Sequence, residues 1–171
     1  MSFELTALLV TWVAIALLSL VVAGLIRQVH ALTTGPRTRE TGTPVGSVAP
    51  EIDRIAPGRD GTVLLLFLTD SCPSCALILD EASRAVRENI VRPELLHAIF
   101  PGEARDGVTL PNVHAGESDL FPQYRITTAP FAVAVDADGH VRASEPVGSP
   151  AAFEAMLSKI AQPTLTRDRT I

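Results

Sequence analysis

Six apolar residues in a row, Val-Leu-Leu-Leu-Phe-Leu at 63–68, are flanked by Arg-Asp-Gly-Thr on one side and Thr-Asp-Ser on the other. A strand that alternates apolar and polar residues can face water on one side. A strand without alternation has to be covered on both. The stretch 62–69 therefore reads as a central strand, and the rest of the chain has to supply layers for two faces.

The residues that follow fit that demand. Cys75, Ile78, Leu79, Ala82, Val86 and Ile90 recur at helical spacing on one face, and Asp80, Arg84 and Glu88 run along another. Pro93 marks a stop. Positions 94–100 (ELLHAIF) are a second strand candidate, and 101–116 a Gly-rich loop. A short helical piece is expected around 117–124. Positions 131–147 read as a hairpin turning at 136–139. The final helix opens with Ser149 as N-cap and Pro150 at its first position. The order strand, helix, strand, helix, strand, strand, helix predicts an α/β fold, a central mixed sheet with helices on both faces.

The N-terminal part is different in kind. Positions 5–26 hold 22 residues without a charge. At about 1.5 Å per helical residue they span roughly 33 Å, against about 30 Å for a hydrocarbon core. The start, Met-Ser-Phe-Glu, lacks the basic residues of a signal peptide, whose apolar core is about 7–15 residues. The stretch reads as an uncleaved transmembrane anchor over 1–29, not as a cleaved signal or a buried soluble helix. Positions 30–44, rich in Thr, Gly and Pro, read as a linker, 45–162 as the folded domain and 163–171 as a flexible tail. From residue 45 on there are 11 basic and 17 acidic side chains. Phosphate binding needs concentrated basic charge, so no nucleic-acid partner is expected.

The 171-residue chain has two cysteines, Cys72 and Cys75, both where the central strand gives way to the helix. At that place free backbone N–H groups and the positive end of the helix dipole favour a thiolate at Cys72. Cys75, one turn on, faces inward and can close a ring with Cys72. The pair supplies a nucleophile and a resolving thiol in four residues. A structural zinc site would need four ligands, and His30, His97, His114 and His140 are scattered, so no metal is expected. His97 reads as a packed or edge residue and His140 as solvated.

Positions 124–141 (YRITTAPFAVAVDADGHV) place a proline before a strand ending in Asp-x-x-Gly. Together with the Cys-Pro-Ser-Cys turn they resemble the signatures of the thioredoxin-like fold. With the apolar N-terminus, and with RQVHAL, PVGSVAPEI and ESDLFPQYRI, the chain resembles membrane-tethered thioredoxin-like proteins of the TlpA type, and more narrowly the methylamine-utilisation accessory proteins of the MauD kind. The resemblance covers about 45–161. It implies a cis peptide bond at Pro130, lying against the cysteine turn and keeping metals off the thiols. It implies that the backbone of Ala129 hydrogen-bonds a substrate strand, a one-strand β-augmentation. Pro73 and Ser74, with Ala129 and Pro130, are then the substrate contacts, and Cys72 and Cys75 the catalytic residues. No cofactor beyond the Cys72–Cys75 disulfide is implied.

Three positions depart from the family pattern. Ser71 stands where thioredoxins carry Trp, Ala76 where they often carry a basic residue, and Leu66 where a buried acid helps deprotonate the resolving thiol. Asp70 is a candidate proton acceptor in its place, or a solvated loop carboxylate.

The resulting expectation is a membrane-tethered thiol–disulfide oxidoreductase acting on thiols or disulfides of a partner protein. The alternatives are a thiol peroxidase, for which Thr69 sits three residues before Cys72, and a copper chaperone or assembly factor, since thiolates suit Cu(I). The resemblance implies an extracytoplasmic domain, where disulfides persist. Arg27, Arg37 and Arg39 after the span argue for the cytoplasmic side.

Overall fold

The structure, a computed structural model, describes residues 7–8, 10, 12–22 and 41–161. The chain divides into two compact units, Met1–Arg39 and Glu40–Ile171. In the first, residues 12–22 are helical with exposed side chains. Both ends of the 5–26 stretch lie outside the described residues. Among the described residues no helix is long and apolar enough to cross a membrane. Residues 30–40 of the expected linker and the tail 163–171 also lie outside them.

The second unit is built on β1 (Val63–Phe67). Every side chain from Val63 to Leu68 is fully buried. At about 1.5–3 kcal/mol for each large apolar side chain removed from water, this run contributes on the order of 10 kcal/mol of gross hydrophobic stabilisation. It can do so because it lies in the middle of a five-stranded sheet of order β3-β2-β1-β4-β5. β2 (Leu96–Ile99) and β3 (Asn112–His114) continue the sheet in parallel on one side. β4 (Phe131–Val135) and β5 (Val141–Pro146) continue it antiparallel on the other.

The pleat divides the core into two halves. Leu64, Leu66 and Leu68 meet Leu96, Ala98, Ala132 and Ala134 on one face, under α2 (Pro73–Arg87) and α4 (Pro150–Ala161). Val63, Leu65 and Phe67 meet Ile99, Phe131, Val133 and Val135 on the other, under α1 (Ile52–Ile55) and α3 (Leu120–Gln123) with Tyr124. The expected mixed sheet with helices on both faces is what forms. The hairpin turns where expected, with Gly139 at φ 86° and its N–H on the Asp136 carbonyl.

Several local expectations fail, each for a physical reason. α1 carries only two inward residues, Ile52 and Ile55, too few for a visible period. β3 lies inside the stretch read as a Gly-rich loop, and parallel pairing to β2 makes it a strand. Ile90, assigned to the buried face of α2, is exposed. The helix stops at Arg87, and Asn89 turns left-handed at φ 57°, which carries Ile90 off the helical stripe.

Positions 41–44 were expected as tether, yet Gly42 and Thr43 are buried. The Gly42 N–H donates to the Arg125 carbonyl at 2.9 Å, and the Thr43 hydroxyl to the Tyr124 carbonyl at 3.1 Å. Gly42 has φ 100°, and a Cβ there would meet Phe131 Cζ at 2.7 Å and the Ser144 hydroxyl closer still. Only glycine fits. Gly42→Ala should therefore destabilise the domain by about 1–3 kcal/mol in urea denaturation, whereas a free tether would leave the midpoint unmoved.

Candidate functional site

The site sits at the end of β1. The strand runs out at Phe67, and the Leu68 N–H still donates to the Ile99 carbonyl at 2.9 Å. The chain then leaves the sheet and turns into α2. Cys72, at φ −91° and ψ 118°, is the N-cap of that helix, and Pro73 is at its first turn. There a missing N–H leaves no bond unmade.

The cap is made by sulfur. The backbone N–H of Cys75 donates to Cys72 Sγ at 3.2 Å, and Cys72 Sγ lies 3.9 Å from the Ala129 carbonyl oxygen. Cys72 is half-buried and Cys75 is 2% exposed, both as free thiols. The Cys75 sulfur lies 3.8 Å from the Thr69 hydroxyl.

Strand register brings the second part of the site to the same place. Phe67 pairs with Phe131, so the residues just before β4 stand beside the end of β1. These are Ala129 and Pro130, joined by a cis peptide bond. Pro130 is buried and Ala129 half-buried. Of the expected substrate contacts, Pro73 is exposed and Ser74 half-buried on the first turn of α2. Cys72, Cys75, Pro73, Ser74, Ala129 and Pro130 thus meet at one end of the sheet.

The two thiols differ electrostatically. Partial burial works against a Cys72 thiolate, but hydrogen bonds from the Cys75 side chain, the Cys75 and Ser74 N–H groups and Thr69 outweigh it, and the pKa falls below the ordinary thiol value. Burial first, and then the hydrogen bond to Cys72, push Cys75 up to about 11. The half-buried sulfur is thus the more easily ionised of the two, and the buried one holds its proton more tightly.

Asp70 does not reach the thiols. It is exposed, and its carbonyl accepts from Arg105 Nη1 at 2.9 Å. Leu66 is fully buried among apolar neighbours. Among the described residues, no group of three or more His, Cys, Asp or Glu side chains is placed to hold a metal.

One pairing was not expected from the sequence. His97 and His114, read as scattered, stack across β2 and β3 with Nδ1 of the first 3.0 Å from Nε2 of the second. Nothing in a 17-residue separation shows this, because strand pairing creates it. Burial and then the charge of His114 lower His97 to about 4, and burial lowers His114 as well, against the pull of Glu117.

No protein-family model matches the sequence, and no curated protein matches it. The fold does have likenesses among solved structures. A protein from Bacteroides thetaiotaomicron described as a protein disulfide isomerase matches with a TM-score of 0.53 at 18% identity, over 71% of this chain and 91% of that one. A protein from Chlorobium tepidum described as the thiol:disulfide interchange protein DsbE matches with a TM-score of 0.49 at 17% identity, over 69% of this chain and 96% of that one. The domain has the thioredoxin-like fold.

The histidine pair gives a pH prediction. An unfolded histidine titrates near 6.5, and His97 in the fold near 4. Between those values the unfolded chain binds the extra proton, so stability is full above the window and is lost as pH falls through it. The unfolding free energy from urea titrations should drop across that window by about 3 kcal/mol, and His97→Leu should flatten the slope. An equally steep slope in the variant would place the effect elsewhere.

Proposed function

We propose that the chain is a thiol–disulfide oxidoreductase that exchanges disulfides with a partner protein through the Cys72–Cys75 pair. The observation that carries this reading is the asymmetry of the two sulfurs beside the cis Ala129–Pro130 bond, one half-buried with a lowered pKa, one buried with a raised pKa. The likeness of the fold to a protein described as a protein disulfide isomerase supports it.

In the reducing direction, the Cys72 thiolate attacks one sulfur of a client disulfide. A Cys72–client disulfide forms, and the other client sulfur leaves as a thiolate and takes a proton from solvent. Cys75 then loses its proton and attacks Cys72 Sγ. The Cys72–Cys75 disulfide forms and the second client thiol departs. Two electrons pass from the dithiol to the client, and a dithiol or other two-electron donor has to restore the enzyme. The reverse sequence oxidises a client. No cofactor beyond the cysteine pair takes part.

Pro73, Ser74, Ala129 and Pro130 form the client platform. The Ala129 carbonyl lies 3.9 Å from Cys72 Sγ, so the backbone there stands beside the nucleophile and can pair with an extended client segment. The finer reading is a TlpA-type, MauD-like protein. Residues 1–29 anchor it in the cell membrane, 30–40 link, and the domain, which takes in 41–44 and runs to 162 before the tail 163–171, faces the extracytoplasmic side. The length of the uncharged 5–26 stretch supports the anchor. Disulfide clients outside the cytoplasm support the sidedness against the arginines that follow the span.

Cys75→Ser is the test. It should accumulate a client joined to Cys72 and released by dithiothreitol, and Cys72→Ser should trap nothing and lose insulin reduction. Hydrogen-peroxide turnover retained by Cys75→Ser would favour the peroxidase. One-to-one Cu(I) binding without disulfide reduction would favour the copper chaperone. On reduced protein, the rate of Cys72 alkylation should reach half its maximum at a pH below that of free cysteine, as the lowered pKa requires.

A further inference from the structure

The resolving step has a difficulty that the fold makes visible. Cys75 is 2% exposed within the core half that holds Leu64, Leu66, Leu68, Ile78 and Leu79. Its sulfur must become a thiolate there to attack Cys72. Leu66, in the same core half as Cys75, is apolar and fully buried, and Asp70 is out in solvent. Among the described residues, Cys75 Sγ has no side-chain hydrogen bond from an ionisable group other than Cys72.

What does face that sulfur is Thr69. Its hydroxyl is 3.8 Å from Cys75 Sγ, and its side chain is half-buried at the point where the chain leaves β1. We propose that Thr69 is the positioning residue for resolution, its hydroxyl holding Cys75 and steadying the thiolate in place of a buried carboxylate. This rests on the oxidoreductase reading given above.

The chemistry suits a hydroxyl. It can accept from the Cys75 S–H and, after rotation about its C–O bond, donate to the Cys75 sulfur once the proton has gone. Burial disfavours the charged form, and a neutral donor stabilises it without adding a second buried charge. Both the backbone N–H and the side chain of Thr69 act on Cys75 toward the thiolate, and the side chain acts on Cys72 in the same direction. A β-branched residue has few χ1 rotamers, and the fully buried Leu68 anchors the backbone beside it. The hydroxyl is therefore aimed with little ordering left to do.

In the step itself, the Cys75 sulfur supplies the electron pair for the new Cys72–Cys75 bond. The bond between Cys72 and the client sulfur breaks, with its pair on the client. The proton given up by Cys75 passes through the Thr69 hydroxyl or water to the departing client sulfur. One thiol and one mixed disulfide become one disulfide and one thiol.

The step can be isolated with a chromogenic probe. Treating the reduced full-length protein in detergent micelles with 5,5′-dithiobis(2-nitrobenzoate) loads Cys72. Attack by Cys75 then releases a second 2-nitro-5-thiobenzoate, and that release is timed against pH. Thr69→Val should slow it about 10- to 100-fold, the effect expected for a hydrogen bond to a charged group. It should also move the pH of half-maximal release up by about one to two units. Thr69→Ser, which keeps the hydroxyl, should stay within about threefold of wild type. Thr69→Ala serves as a second hydroxyl-free variant, with circular dichroism reporting the fold of each.

Unchanged release in Thr69→Val and Thr69→Ala would overturn the proposal. So would slowing in Thr69→Ser equal to that in Thr69→Val, which would make Thr69 a packing residue. The probe needs no client, so the outcome is separate from the wider reading. A chain that traps no client and reduces no insulin, yet shows hydroxyl-dependent release, would retain the Thr69 assignment and lose the oxidoreductase assignment.

Discussion

The structure depends on burying one strand on both faces. Because every side chain from Val63 to Leu68 is fully covered, β1 can occupy only the centre of the sheet, with parallel neighbours on one side and antiparallel ones on the other. A slip by one residue would exchange the two core halves and place leucine where the α1 face expects Phe67, so the register is strongly specified. That register decides the chemistry. It fixes where the chain must leave the sheet, which makes Cys72 the N-cap of α2. It also fixes the partner of Phe67 as Phe131, which carries the cis Ala129–Pro130 bond to the same end. Two segments nearly sixty residues apart converge because a single strand has no freedom.

The difference between the two sulfurs is a difference of depth along one helical turn. Cys72 stands at the cap, where unpaired N–H groups point toward it. Cys75 has turned inward beneath it and is part of the core. Both feel desolvation, but only the cap offers enough donors to reverse it. A fold that covers the inner face of α2 with leucine therefore separates an eager sulfur from a reluctant one without any charged side chain. The segment after β2 braces this arrangement. Arg105 holds the Asp70 carbonyl, and the Thr109 hydroxyl donates to Ser83 at 3.1 Å, so the turn before the cysteines and the body of α2 are tied to one loop.

What could be read from the sequence follows from where the physical signal lies. β1, α2 and the β4–β5 hairpin carry strong periods or turn residues, and their places were legible. So was the cysteine pair, because strand end and helix start are both written locally. Elements of three or four residues, α1 and β3, carry no period, and only the surface they join makes them regular. Gly42 and Thr43 look like tether by composition, but their bonds to Arg125 and Tyr124 cross more than eighty residues. The same is true of His97 and His114, whose contact is created by pairing β2 with β3. Thr69 was visible by position, three residues before Cys72, and suggested only a peroxidase. Its closeness to Cys75 depends on the helical turn that folds the second cysteine back toward the strand.

That Leu66, an apolar residue, shares the core half of Cys75 has a consequence for any exchange reaction run at this site. A carboxylate can take the proton from the resolving thiol outright. A hydroxyl can only share it, and the thiolate it steadies remains costly in an apolar setting. Burial holds Cys75 above the ordinary thiol value, so in the proposed exchange little of it would be ready to attack at neutral pH, and a mixed disulfide on Cys72 would resolve slowly. A long-lived adduct gives a client with several cysteines time for its own thiols to attack before the enzyme resolves. In the proposed exchange, slower resolution would favour rearranging a client's disulfides over reducing them, with the balance set by the polarity around one buried sulfur.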